Sequence, residues 1–128
     1  MQQLMMLLER DKYIHWHRVH ESSRVVSDIF WTHPDSLKLL NEFNNVLLMD
    51  TTYKTNKYRL PLLEVVCVTS TRLTFSVVFV LMSTERENNF TWALQRLRWL
   101  FLRADVYPTV TVSDRDLTIM NAIEVIFP

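Results

Sequence analysis

Residues 46–50 read VLLMD and residues 110–114 read VTVSD, so two apolar, β-branched runs each end on a carboxylate, Asp50 and Asp114. If the two strands lie side by side, their ends supply paired carboxylates at the edge of a sheet. That is the donor pattern of a Mg²⁺ site, because Mg²⁺ takes hard oxygen ligands and is commonly held by one or two carboxylates together with water and phosphate oxygens. Two such ions about 3.5–4 Å apart activate an attacking water or hydroxyl and stabilise the leaving oxygen of a phosphodiester. The competing reading is local: Asp is common at strand ends and helix starts, where it accepts from free backbone N–H groups, and Asp114 or Asp116 would cap the last helix. For either Asp alone the capping reading is the stronger. The metal reading rests on the pair.

The elements around the two carboxylates follow from hydrophobic period. MQQLMMLLERDK has helix-favouring residues and is expected to end a helix that begins outside this chain. YIHWHRVH and RVVSDIFW alternate around ESS and predict an antiparallel ribbon. HPDSLKLLNEF predicts a short helix, with Pro34 and Asp35 as start chemistry and Leu37, Leu40 and Phe43 as its apolar face. VLLMDTTY, YRLPLLEVVCVTST and LTFSVVFVLMS are three β-rich runs with short polar breaks, the pattern of a meander. Phe90, Ala93, Leu94, Leu97 and Leu100 or Phe101 then recur at helical spacing, so a crossover helix separates the meander from the strand TVTVSD. A second helix, DLTIMNAIEVIF, follows at once. Through a right-handed crossover the fourth strand of this β-β-β-α-β-α frame pairs parallel to the first, which makes Asp50 and Asp114 neighbours.

At 128 residues and 48% hydrophobic content the chain is long and apolar enough to bury a core. Fourteen basic and fourteen acidic residues cancel, so any binding to a polyanion must be local. A lone cysteine, Cys67, excludes an internal disulfide and a cysteine zinc site, and within a buried run it reads as packing. The N-terminus is a poor signal peptide, and the span LPLLEVVCVTSTRLTFSVVFVLM is broken by Glu64, Arg72 and hydroxyl residues, so it reads as two strands and not a membrane span. His15, His17, His20 and His33 lack the spacing of a zinc motif and read as packing. Tyr53, Lys54, Lys57, Tyr58 and Arg59 interleave bases and aromatics directly after Asp50; a solvated turn explains them as well as a nucleic-acid contact does, with phosphate contact the sharper reading for Lys54, Lys57 and Arg59.

The segments MDTTYKTNKYRLPLLEVVCVTSTRLTFSVVFVLMSTERENNFTWALQRLRWLF and YPTVTVSDRDLTIMNAIEVIFP closely resemble the transposase domain of Mutator-like elements, and IFWTHPDSLKLLNEF resembles that family's lead-in. The resemblance covers most of the chain from about Tyr13 onward. It implies an α/β fold of ribonuclease-H-like type: a mixed sheet of three antiparallel strands and then a parallel one, flanked by helices, truncated at the C-terminus. Residues 1–45 would be a lead-in of helix, β-hairpin and short helix, and residues 46–128 part of the catalytic domain. The family cuts and joins DNA with an acidic triad and divalent metal, which makes Asp50 and Asp114 the first and second metal-binding, catalytic carboxylates and Asp116 a cap or supporting group. The third acid, a Glu, is expected beyond Pro128; Glu124 lies in the wrong helix to replace it. Implied with the resemblance are Mg²⁺ or Mn²⁺ as cofactor, DNA at transposon ends as partner, a nuclear location, and neither a membrane nor a small-molecule substrate. Trp92, Trp99 and Phe101 read as core or interface anchors, and as an apolar patch open to self-association if a further part of the domain normally covers them. A fragment with two of three acids would be inactive alone. The alternative is a domesticated DNA-binding or protein-interaction module without catalysis. The sequence also departs from the family, which usually has glycine where Cys67 and Arg72 stand and in the hairpin written ESSR; with no glycine anywhere in the chain, a left-handed turn at Arg72 would cost on the order of 1 kcal/mol or more.

Overall fold

Burial alternates residue by residue along β4 (Leu62–Val68), with Leu63, Val65 and Cys67 inward and the residues between them half-exposed. This is the period-two signature of a strand with one face on a core. In the computed structural model, which describes residues 2–52, 59–101, 108, 110–113 and 117–127, the elements are α1 (Gln2–Arg10), β1 (Ile14–Val19), β2 (Val26–Thr32), α2 (Pro34–Glu42), β3 (Val46–Thr52), β4, β5 (Thr74–Leu81), α3 (Glu87–Trp99), β6 (Val110–Ser113) and α4 (Leu117–Ile126). The result is a mixed α/β fold built on one sheet of order β1-β2-β5-β4-β3-β6.

Five strands, β1 to β5, pair antiparallel, and β6 runs parallel to β3 from Val46↔Val110 to Met49↔Ser113. The N-terminal hairpin does more than lead in. β2 pairs with β5 from Ile29↔Leu81 to Thr32↔Val78, so residues on both sides of position 46 share the sheet. The cause is visible in β2, where Ile29 and Phe30 point to opposite faces and both are fully buried, as an interior strand requires.

One face carries the main core. Phe90, Leu94 and Leu97 of α3, Ile119 and Ile123 of α4 and Leu40 of α2 pack with Leu47, Met49, Leu63 and Val65. The predicted apolar face of α3 is therefore the buried one. Trp92 and Phe101 are buried with it, whereas Trp99 is 58% exposed. In β5 the register slips between Val65↔Val78 and Val66↔Ser76, leaving Val77 without an opposite residue. The hydroxyl of Thr32 donates to the Val77 carbonyl at 2.6 Å, so the bulge leaves no orphan acceptor there.

A second polar knot ties the hairpin to α3. The buried Asp28 carboxylate accepts from Ser27 Oγ (2.8 Å), the Ser83 backbone N–H (3.0 Å), Asn89 Nδ2 (3.1 Å) and the Arg18 guanidinium (3.1 Å). These donors come from β1, β2, α3 and the segment between β5 and α3.

The missing glycines have the expected consequence. Lys12, Arg24, Arg59 and Arg72 adopt positive φ, 59°, 60°, 52° and 65°. Arg24 closes the β1–β2 turn, its N–H bonded to the His20 carbonyl at 2.9 Å, and Arg72 closes the β4–β5 turn, its N–H bonded to the Thr69 carbonyl at 3.0 Å. A side chain at these angles crowds its own carbonyl, at about 1–2 kcal/mol per residue. Arg24→Gly and Arg72→Gly are each expected to raise stability by about 0.5–1 kcal/mol, after the greater freedom of glycine in the unfolded chain is subtracted. Together they would move the thermal midpoint upward by a few degrees in calorimetry, roughly 4 °C per kcal/mol for a chain of this size; an unchanged midpoint would mean the turns relax instead of straining.

Candidate metal-binding site at the end of β3

β3 places Leu47 and Met49 in the core, so Val46, Leu48 and Asp50 stand on the other face of the sheet by strand period. Asp50 is exposed. Its antiparallel partner is Glu64, and side chains directly opposite on two strands lie about 4.5–5.5 Å apart at Cβ. Two carboxylates therefore face each other at the end of β3. Like charges so placed repel. Among the described residues no cation pairs with Asp50, while the Ser76 hydroxyl donates to Glu64 Oε1 and fixes that carboxylate. A hard divalent cation suits this donor set, since it would relieve the repulsion with ligands of the right kind.

The parallel pairing ends at Met49↔Ser113, and the next residues in sequence are Asp50 and Asp114. Asp114 itself, with Asp116, Lys54 and Lys57, lies outside the described residues. Arg59 is described, exposed and left-handed. Among the described residues no cluster of three or more His, Cys, Asp or Glu is assembled to hold a metal. His33 is a helix cap: its Nδ1 accepts from the Asp35 N–H at 3.0 Å. Cys67 is fully buried, and burial pushes its thiol up to about 12, so it supplies no thiolate nucleophile.

Sequence reasoning missed Glu64 as a site residue. Along the chain it is only a charge interrupting an apolar span, and the signal that singles it out is register, which no single sequence displays. The same register extends across the sheet. Glu64 pairs with Phe79, Phe79 with Trp31 and Trp31 with His15, so one transverse row runs from a histidine through a stacked Trp31–Phe79 pair, centroids 5.6 Å apart, to the two carboxylates.

Comparison with known proteins agrees with this frame. A 105-residue stretch is 30% identical to the PKS-NRPS hybrid synthetase cheA of Chaetomium globosum, covering 81% of this chain and 2% of that protein. It is likewise 30% identical over 105 residues to Protein FAR1-RELATED SEQUENCE 5 of Arabidopsis thaliana (80% of this chain, 13% of that protein), and 26% identical over 108 residues to Protein FAR1-RELATED SEQUENCE 7 of the same plant (84% and 14%). The chain thus spans a small fraction of the length of the curated relatives it matches. No solved structure matches it. The family model of the MULE transposase domain matches residues 46–128, the stretch that runs from β3 through α4, and the chain belongs to that family.

Proposed function

We propose that the chain forms part of a ribonuclease-H-like transposase catalytic domain, in which Asp50 and Asp114 hold Mg²⁺ or Mn²⁺ for phosphodiester chemistry on DNA. The observation that carries this reading is the parallel β3–β6 ladder, whose last pair, Met49↔Ser113, stands one residue short of both carboxylates. When bound, the metal activates the attacking oxygen and stabilises the leaving one. The chain's own contribution is to hold ligands. Glu64 adds a second carboxylate opposite Asp50, and Ser76 orients it. Lys54, Lys57 and Arg59 bind the phosphates of the DNA strand beside the metal, which positions the substrate without reading its sequence. The third acid belongs to the remainder of the domain, so these residues alone bind metal and do not cleave efficiently. Action on transposon ends places the protein in the nucleus.

A second reading, a domesticated transposase-derived module that binds DNA or protein without catalysis, is favoured by the likeness to the two FAR1-related plant proteins. Titration of Mg²⁺ or Mn²⁺ into the chain, followed by calorimetry, separates the two. Saturable binding is expected, weakened by about 100-fold in both Asp50→Asn and Asp114→Asn, the upper end of what loss of a supporting hydrogen bond costs a metal site. A folded chain that takes up no metal, or variants that bind as the parent does, would reduce the carboxylates to caps and leave the second reading standing.

A further inference from the structure

Away from the carboxylates, at the β1 edge of the sheet, arginine and tryptophan alternate across two elements. Arg18 of β1 lies over the Trp92 ring at 4.8 Å, and Arg96 of α3 lies over Trp92 at 5.4 Å and over Trp99 at 4.2 Å. Trp99 in turn meets Trp16 edge-on at 6.3 Å. Core packing explains Trp92, which is 8% exposed, but not Trp99, which is 58% exposed at the end of an otherwise well-buried helix.

Charge in this ladder is not balanced. Arg18 is matched by Asp28, but no ion pair among the described residues holds Arg96, and its Nε is buried without a hydrogen-bond partner. Burial first, and the Arg18 cation second, push the Arg96 guanidinium below its ordinary value. An arginine stays protonated at neutral pH all the same, so two cations converge on one ring, with Asp28 ion-paired to Arg18 and Glu87 in the wall of the neighbouring cleft. Next to Trp92 is a cleft of about 510 Å³ whose other walls are Arg18, Glu87, Asn88, Thr91 and Gln95, mostly neutral hydrogen-bonding groups.

We infer that the Arg18–Trp92–Arg96–Trp99 ladder is a binding surface for single-stranded nucleic acid, distinct from the carboxylate site. A phosphate supplies an anion to Arg96, which has no ion-pair partner among the described residues, and a base stacks on the exposed ring of Trp99. Guanidinium and indole planes together are how proteins hold single strands without reading sequence. An acidic protein segment would need an aromatic residue at the right spacing, whereas every nucleotide joins a phosphate to an aromatic base, which is why a nucleic acid fits better. Duplex DNA keeps its bases stacked on one another and would use only the cations.

The experiment is fluorescence anisotropy with a labelled oligothymidylate at about 50 mM salt, in EDTA so that the carboxylate site plays no part. Wild-type chain is expected to bind the single strand in preference to a duplex of equal length. Trp99→Ala should weaken that binding by roughly 5- to 100-fold, the range for loss of one base stack, and Trp99→Phe should retain most of it. Arg96→Gln should lower the slope of log affinity against log salt by about 0.7. Trp99→Ala also loses the Arg96 and Trp16 contacts, so unfolding midpoints are measured on the same samples and binding is compared at a temperature where every variant is folded. Wild-type chain that does not bind the oligonucleotide, Trp99→Ala that binds it equally well, or a Trp99→Ala effect confined to self-association in sedimentation would each overturn the inference. Failure of the metal titration would leave it intact, since no metal enters this test.

Discussion

Asp28→Ala is expected to lower the unfolding free energy by about 3–5 kcal/mol, the cost of breaking a buried charge pair. The carboxylate is buried and accepts from four donors at once. Alanine removes the acceptor and leaves the Arg18 cation, the Asn89 amide and the Ser83 N–H facing a void, and stranded partners cost more than the bonds were worth. Since a domain holds only about 0.05–0.15 kcal/mol per residue, this loss is a large share of the whole stability. A urea titration followed by tryptophan fluorescence measures the change. The cause is tested by Asp28→Leu combined with Arg18→Met: if the stranded cation dominates, the pair should be markedly more stable than the sum of its single losses. Simple additivity would assign the loss to packing instead.

Phe90→Ala should cost a similar 3–5 kcal/mol by a different route, an emptied core. Phe90 is 1% exposed and sits in α3 among the buried residues that join both core helices to the sheet. The effect should be read as a fall in urea midpoint with little change in slope, as a cavity leaves the surface exposed on unfolding almost unaltered. On the same helix Trp99→Ala should cost less than Phe90→Ala, since it removes only the Arg96 and Trp16 contacts of a ring that is 58% exposed. α3 is also the crossover that delivers β6 to β3, so if the proposed carboxylate site takes Mg²⁺, loosening α3 should weaken that binding although no ligand has been touched. Stability lost without any loss of metal affinity would show that β6 is held by β3 and α4 alone.

How far these features were legible depends on whether the cause is local. The crossover helix was readable because Phe90, Ala93, Leu94 and Leu97 recur at helical period, and all four are buried. The left-handed turn at Arg72 was readable from the glycine that the resemblance implies there; for the hairpin the resemblance implied only a glycine somewhere in ESSR, and Lys12 and Arg59 carried no such signal. The attachment of β2 to β5 was not, since RVVSDIFW mixes a buried Asp and Ser with residues that point both ways, and period alone sees no clean face. Asp28 passed unnoticed for the same reason: its donors come from Arg18, Ser27, Ser83 and Asn89, and only folding collects them. Glu64 is the most telling omission. Its significance is a partner across the ladder, and a partner is a property of register.

The parallel ladder between β3 and β6 also has a bearing on synthesis. Val46 finds its partner only when Val110 has been made, after β4, β5 and α3 are already available. A ribosome adding about 5–20 residues per second leaves that edge of β3 uncovered for several seconds. During this interval the chain presents an apolar, β-branched run with free backbone donors and acceptors, the surface on which strands from other molecules add. Nascent copies close together on one message would be at greatest risk, and slowing translation between residues 52 and 110 should lower the soluble yield even though the finished molecule is unchanged.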